Sequence, residues 1–123
     1  MAKGAANPGF LYCRALLHRF QSKSQEALKD LNAARASTEL MADATYLMVD
    51  TYVAPIFDAL WAGEMMDPTQ SDLAITACRQ LLDALPANER LTNKCALAFT
   101  QCNIAFFVTK YINHPKYYWD VFV

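Results

Sequence analysis

The side chains through which this chain could do chemistry are its cysteines and histidines, a scatter of aspartates, and two serines in one polar turn. Cys13, Cys78, Cys95 and Cys102 show no CxxC or other ligand spacing, and His18 and His114 are too few and too far apart to complete a metal site with them. Cys95 and Cys102, seven residues apart, would stack on one helical face about 10 Å apart along the axis, beyond the reach of a disulfide. All four are expected to be buried free thiols in a reducing compartment. Asp30, Asp43, Asp50, Asp58, Asp67 and Asp72 form no i, i+4 pair on an otherwise apolar face, the arrangement acid–base catalysis would want. Ser22 and Ser24 have no histidine–acid partner pattern and read as turn and capping residues. Glycines at 4, 9 and 63 are too dispersed for a phosphate-cradling loop. The expectation is a protein that is not an enzyme and holds no metal and no cofactor.

The elements that would position any site are helical. The 123 residues are 54% apolar against 19% charged, with only three glycines and five prolines. That suits a buried all-α core and argues against disorder. A net charge of −1 draws the chain toward neither nucleic acid nor anionic lipid. The basic residues from Lys3 to Lys29 are interspersed with apolar and acidic ones and read as a solvated face. Cys95–Thr109 is the longest stretch without a charge, yet it is 15 residues long and contains Thr100, Gln101 and Asn103. A bilayer span needs about 20 apolar residues, so a core helix is expected, with no membrane insertion. The first residues carry Lys3 but no apolar stretch or cleavage site, so no secretory signal is expected.

Asn7-Pro8 predicts a helix start, with Asn as cap and Pro at the first helical position. The first helix should run to about Phe20. A polar turn, Gln21 to Ser24, leads to a second helix capped by Ser24 and ending near Ala36. A third, from Leu40 to about Val53, should stop before Pro55. Pro55, Gly63 and Pro68 leave residues 55–70 without a sustained period, though Ile56, Phe57, Leu60 and Trp61 could still form one amphipathic turn. Asp67-Pro68-Thr69-Gln70 resembles the cap of a fourth helix reaching Leu85. Asn88 should open a fifth, continuing to about Ile112.

Within the first two helices, Leu11, Ala15, Ala27, Leu31 and Ala34 follow the large–small code of a helical hairpin, in which helices approach at small residues and large ones fill between them. With Ala27 at position 20 of a 34-residue tetratricopeptide unit, these residues fall at 20, 24 and 27, and at 4 and 8. Arg14 and His18, at positions 7 and 11, do not fit. The next unit accepts Met48 and Tyr52 but has Val49 and Trp61 where small residues belong. Its second-helix code reappears at Ala77, Leu81 and Ala84, displaced by 16 residues, which implies an insertion over about 55–70. The expected architecture is one helical-repeat region over residues 1–123, interrupted there: an all-α set of tetratricopeptide-like hairpins forming a short α-solenoid segment.

Gly9 to Leu16, Glu26-Ala27-Leu28, Leu31 to Arg35, Ala44-x-Tyr46-x-Met48, Pro55 and Thr76-Ala77 with Leu81-Leu82 together resemble the tetratricopeptide repeat protein 21 family, the large repeat subunit of intraflagellar transport complex A. The likeness spans about residues 9–85. Ala15 stands where the family more usually has glycine, and residues 91–123 lie outside the likeness. The resemblance implies a non-enzymatic scaffold in ciliary retrograde transport, located in cilium and cytoplasm, whose partners are other subunits of that complex.

Tyr12 and Leu16 occupy the positions at which chaperone-binding repeats carry Lys and Asn, so no carboxylate clamp is expected. Tyr117, Tyr118, Trp119 and Phe122 form an aromatic cluster that could contact a partner or pack on the last helix. The alternative to a scaffold is a small helical bundle that binds an apolar ligand against Phe99, Phe106 and Phe107. A last helix apolar over most of its circumference also leads to the expectation that the isolated chain self-associates.

Overall fold

The computed structural model describes residues 7–64 and 66–112, with side chains as far as Lys110. Among them the regular elements are all helical: α1 (Pro8–Phe20), α2 (Ser24–Ala34), α3 (Met41–Ala62), α4 (Pro68–Asp83), α5 (Ala87–Arg90), α6 (Asn93–Phe107) and a π-helical turn (Val108–Ile112). Tyr117, Tyr118, Trp119 and Phe122 lie outside the described residues. The chain divides into two compact units, Met1–Thr51 and Tyr52–Val123.

In the first unit, α1 starts where Asn7 accepts from the backbone N–H groups of Gly9 (2.7 Å) and Phe10 (3.3 Å). Pro8 takes the position whose N–H has no helical partner anyway. The helix ends in a Schellman turn: the Lys23 N–H reaches the His18 carbonyl (2.7 Å) and the Ser22 N–H reaches that of Arg19 (3.0 Å). Ser22 holds the left-handed position of this turn, at φ 62°. So Ser22 closes α1, and Ser24 is not the cap of α2; the cap position is Lys23, which makes no side-chain bond there. Glu26 in the first turn supplies negative charge at the positive helix end instead. α2 stops at Ala34, two residues before the expected end, and turns over residues 35–40 lead into α3.

α1 and α2 pack as an antiparallel hairpin with Leu11, Ala15, Ala27, Leu31 and Ala34 buried. The first turns of α3 add Ala44, Met48 and Val49 to the unit's interior.

The third helix does not stop at Pro55. It runs on to Ala62, so the first half of the segment expected to be irregular is helical. A proline inside a helix removes one N–H and leaves the carbonyl four residues back without its donor; here that carbonyl belongs to Thr51, the last residue of the first unit. The true stop is Gly63, at φ 70°, in a second Schellman turn with Glu64 N–H on the Ala59 carbonyl (2.8 Å) and Gly63 N–H on that of Leu60 (3.2 Å).

In the second unit α4 begins as its sequence predicts, with Asp67 accepting from the Thr69 N–H at 3.1 Å and Pro68 first in the helix. The expected fifth helix is two helices. Thr92 divides them: its hydroxyl donates to the Glu89 carbonyl (2.9 Å) and accepts from the Cys95 N–H (3.1 Å), ending one turn and capping the next. The interior face of α6 is Cys95, Ala98, Cys102 and Ala105, and that of α4 is Ser71, Ile75, Cys78 and Leu82.

Two outcomes follow for the first unit. Ala27→Phe should cost about 1–3 kcal/mol by overpacking, whereas Ala33→Phe, on the exposed side of α2, should leave the urea midpoint nearly unchanged; equal effects would refute the hairpin register. Ser22→Gly should stabilise by about 1 kcal/mol, since glycine carries no Cβ penalty at positive φ; a loss of stability in the same titration would contradict that source of strain.

Candidate functional site

The hairpin is held by a carboxylate that its apolar code does not explain. Asp30 is only 5% exposed, on the face of α2 turned to α1. Arg14 engages it with two parallel bonds, Nε to Oδ2 at 2.9 Å and Nη2 to Oδ1 at 2.8 Å, the fork geometry that suits a carboxylate. His18, one turn further along α1, brings Nε2 to 3.4 Å from Oδ2. Its Nδ1 is buried and has no hydrogen-bond partner. The Arg14 bonds, ahead of the opposing cost of burial, hold the Asp30 carboxyl below the usual carboxylate range. Arg14 and His18 are the two residues that miss the tetratricopeptide template, and both serve Asp30. The signal that would have found them is their i, i+4 spacing opposite a lone aspartate on the apolar face of α2.

A second arginine fixes α3 to α1. Arg19 Nη1 lies 2.7 Å from Asp50 Oδ2 and 3.1 Å from Thr51 Oγ1, while the Thr51 hydroxyl donates to the Leu47 carbonyl at 2.7 Å. α1 thus spends its two arginines on ion pairs, one to each neighbouring helix, with the Arg14 side chain remaining 43% exposed. Tyr12 is half-buried and Leu16 exposed.

The second-unit code sits elsewhere. Ala77 and Leu81 are half-buried and Ala84 is exposed, about 100° from the buried stripe, because the true register lies one residue later. Ile75, Cys78, Leu82 and Leu85 offer more apolar surface to bury than two alanines and a leucine, and the larger set wins the interior.

Three of the four cysteines are buried and Cys13 is exposed, against the expectation for all four. The Cys78 thiol bonds to Cys102 between α4 and α6. That bond, with burial, pushes Cys78 up, and it lowers Cys102 to about 7 with help from Arg79. Cys102 Sγ also lies 3.8 Å from the Ile75 carbonyl, a close approach of α6 to the α4 backbone. Among the described residues no group of three or more His, Cys, Asp or Glu is placed to hold a metal ion. None of the described helices is long and apolar enough to cross a membrane. Phe99 and Phe106 are half-buried and Phe107 is exposed. The Phe106 ring is faced by Arg79 at 4.8 Å and Lys110 at 5.5 Å, so cations rather than an apolar cavity meet it.

A helical hairpin held by ion pairs in the first unit, and an all-helical second unit, are the features of a helical-repeat protein of the scaffold type. Residues 1–53 match the family described as the TT21 fifth ARM repeats domain, which is what this part of the chain is similar to. The matched residues contain α1, α2 and the first half of α3. Searches of curated proteins and of solved structures found no match. The repeat type of that family is ARM, which like the tetratricopeptide unit is a helical module stacked into a solenoid.

Because Asp30 titrates lower in the folded than in the unfolded chain, its contribution is complete above about pH 5 and fades as pH falls through the carboxylate range. Asp30→Asn should therefore lower the melting temperature by several degrees at pH 7, with the gap to the unaltered protein narrowing toward pH 3. Parallel pH profiles for the two proteins would show that the Arg14 pair contributes nothing.

Proposed function

We propose that this chain acts as a non-enzymatic protein-binding scaffold of the ciliary transport machinery, contributing helical-repeat surface to intraflagellar transport complex A during retrograde movement. The observation that carries this reading is the coincidence of the TT21 match, residues 1–53, with the hairpin and α3 start that Arg14–Asp30 and Arg19–Asp50 lock together. A scaffold works by presenting a fixed surface, and ion pairs that hold neighbouring helices in register supply that fixity. The partners on this reading are other subunits of the complex, and the location is the cilium and the cytoplasm at its base. The apolar-ligand alternative gains no support, since Phe99, Phe106 and Phe107 do not share the buried face of α6.

The test is expression of the tagged full chain in ciliated cells, followed by quantitative mass spectrometry of what it retains and by imaging along the cilium. Complex A subunits should be enriched more than tenfold over a tag-only control, with the chain present in the cilium. Absence of every complex A subunit from the enriched set would end this reading and leave a helical-repeat scaffold of another assembly.

A further inference from the structure

α1 has a third face that neither α2 nor α3 uses. Phe10, Cys13, Leu17 and Phe20 follow one another at intervals of three, four and three, the a/d spacing of a coiled-coil seam, with Leu16 beside them. Phe10, Leu16, Leu17 and Phe20 are 55%, 46%, 52% and 89% exposed, and Cys13 is exposed too. The five cover an arc of about 120° and together present about 500 Å² of largely apolar surface, at the upper end of what a monomer leaves uncovered.

We propose that this face is a self-association surface through which two copies of the chain pair, their α1 helices antiparallel about a two-fold axis. The seam is complementary to itself in that direction. A two-fold axis through the level of Ala15 sets Phe10 of one copy opposite Phe20 of the other, and Cys13 opposite Leu17. Each of these layers joins an a to a d position, as antiparallel helix pairs require, and the small thiol leaves room for the leucine facing it. Charge also permits the pairing. α1 carries Arg14, His18 and Arg19 and no acidic residue, which would set like charges against each other across the axis. However, Arg14 is paired with Asp30 and Arg19 with Asp50, so each cation has its anion within its own copy, and the Arg14 guanidinium, 43% exposed, lies over the Phe10 ring at 5.3 Å along the edge of the seam. Two such faces would bury about 1,000 Å², the lower bound of a specific interface, so the dimer is a reversible, concentration-dependent one. The proposal does not depend on which protein the scaffold holds.

Sedimentation equilibrium of the full chain across a wide concentration series should show the mass rising from the monomer toward twice that value. Leu17→Glu and, separately, Phe20→Glu should each raise the dimer dissociation constant more than tenfold, while Trp61→Glu, 87% exposed on α3, should leave it unchanged. Both seam residues are exposed already, so thermal melts should remain as in the unaltered protein; if Leu17→Glu lowers the melt, Phe20→Glu at the last turn carries the test. For the orientation, Leu17→Cys treated with oxidised glutathione should give a covalent dimer through Cys13 of the opposite copy, two thiols per bond exchanging with the small disulfide and releasing reduced glutathione. A chain that stays monomeric throughout, or a dimer that survives both glutamate variants, overturns the proposal.

Discussion

The first unit depends on one buried carboxylate. Asp30 lies on the face of α2 that the apolar code would give to a hydrophobic side chain, and burying it is costly unless a partner is present in good geometry. Arg14 is that partner, with two bonds of 2.8 and 2.9 Å, and it can reach only if α1 sits at one depth and one rotation against α2. An apolar contact between alanines tolerates some sliding, whereas a fork-shaped pair does not. Ala15 and Ala27 therefore bring the helices together, and Arg14 with Asp30 chooses the register in which they stop. Arg19 repeats the logic toward α3, spanning 31 residues to Asp50 and 32 to Thr51. The order α1–α2–α3 is thus fixed by two arginines that leave one helix in different directions.

The helix boundaries show which sequence signals carried weight. Asn7-Pro8 and Asp67-Pro68 were legible because a side-chain acceptor and a fixed φ act locally and need no tertiary support. Pro55 misled because a proline costs a helix one hydrogen bond and a steric adjustment, about 3 kcal/mol, which burial on both sides of it can offset; Val53 and Ile56 are both fully buried. Gly63 and Ser22 were the real stops. Each ends its helix through two backbone bonds to carbonyls near the helix end, a pattern that a glycine advertises and a serine conceals. Thr92 conceals its role for a similar reason, since a threonine inside an apolar run looks like a tolerated guest, whereas its hydroxyl bonds in both directions.

Registers proved harder to read than boundaries. The first hairpin code was found because small and large residues alternate in only one phase across Ala15, Ala27, Leu31 and Ala34. In α4 two phases compete, one through Ala77, Leu81 and Ala84 and one through Ile75, Cys78, Leu82 and Leu85. A template built on alanines favours the first, while burial energy favours the second. The outcome places Cys78 in the interior, opposite the small-residue stripe of α6, where it bonds to Cys102. No spacing rule announces that pairing, because the two thiols come from different helices and meet only once the α4 register is settled. The candidate site was hidden in the same way: Arg14 and His18 looked like failures of a repeat template, and only the fold shows that they answer Asp30.

The division of labour on α1 follows from these constraints. A helix of 13 residues has room for about three contact stripes. Leu11, Ala15 and Arg14 face α2, Arg19 reaches α3, and the seam from Phe10 to Phe20 is left to solvent. Had the polar residues of α1 been placed outward, as a solvated helix would have them, that seam would have been charged and the hairpin held by apolar contacts alone. Pairing the arginines with Asp30 and Asp50 departs from that arrangement, although the Arg14 side chain stays 43% exposed beside Phe10. It uses the charges for register and leaves apolar side chains to make contact with another molecule, so the ion pairs that specify the fold also free the face on which association can act.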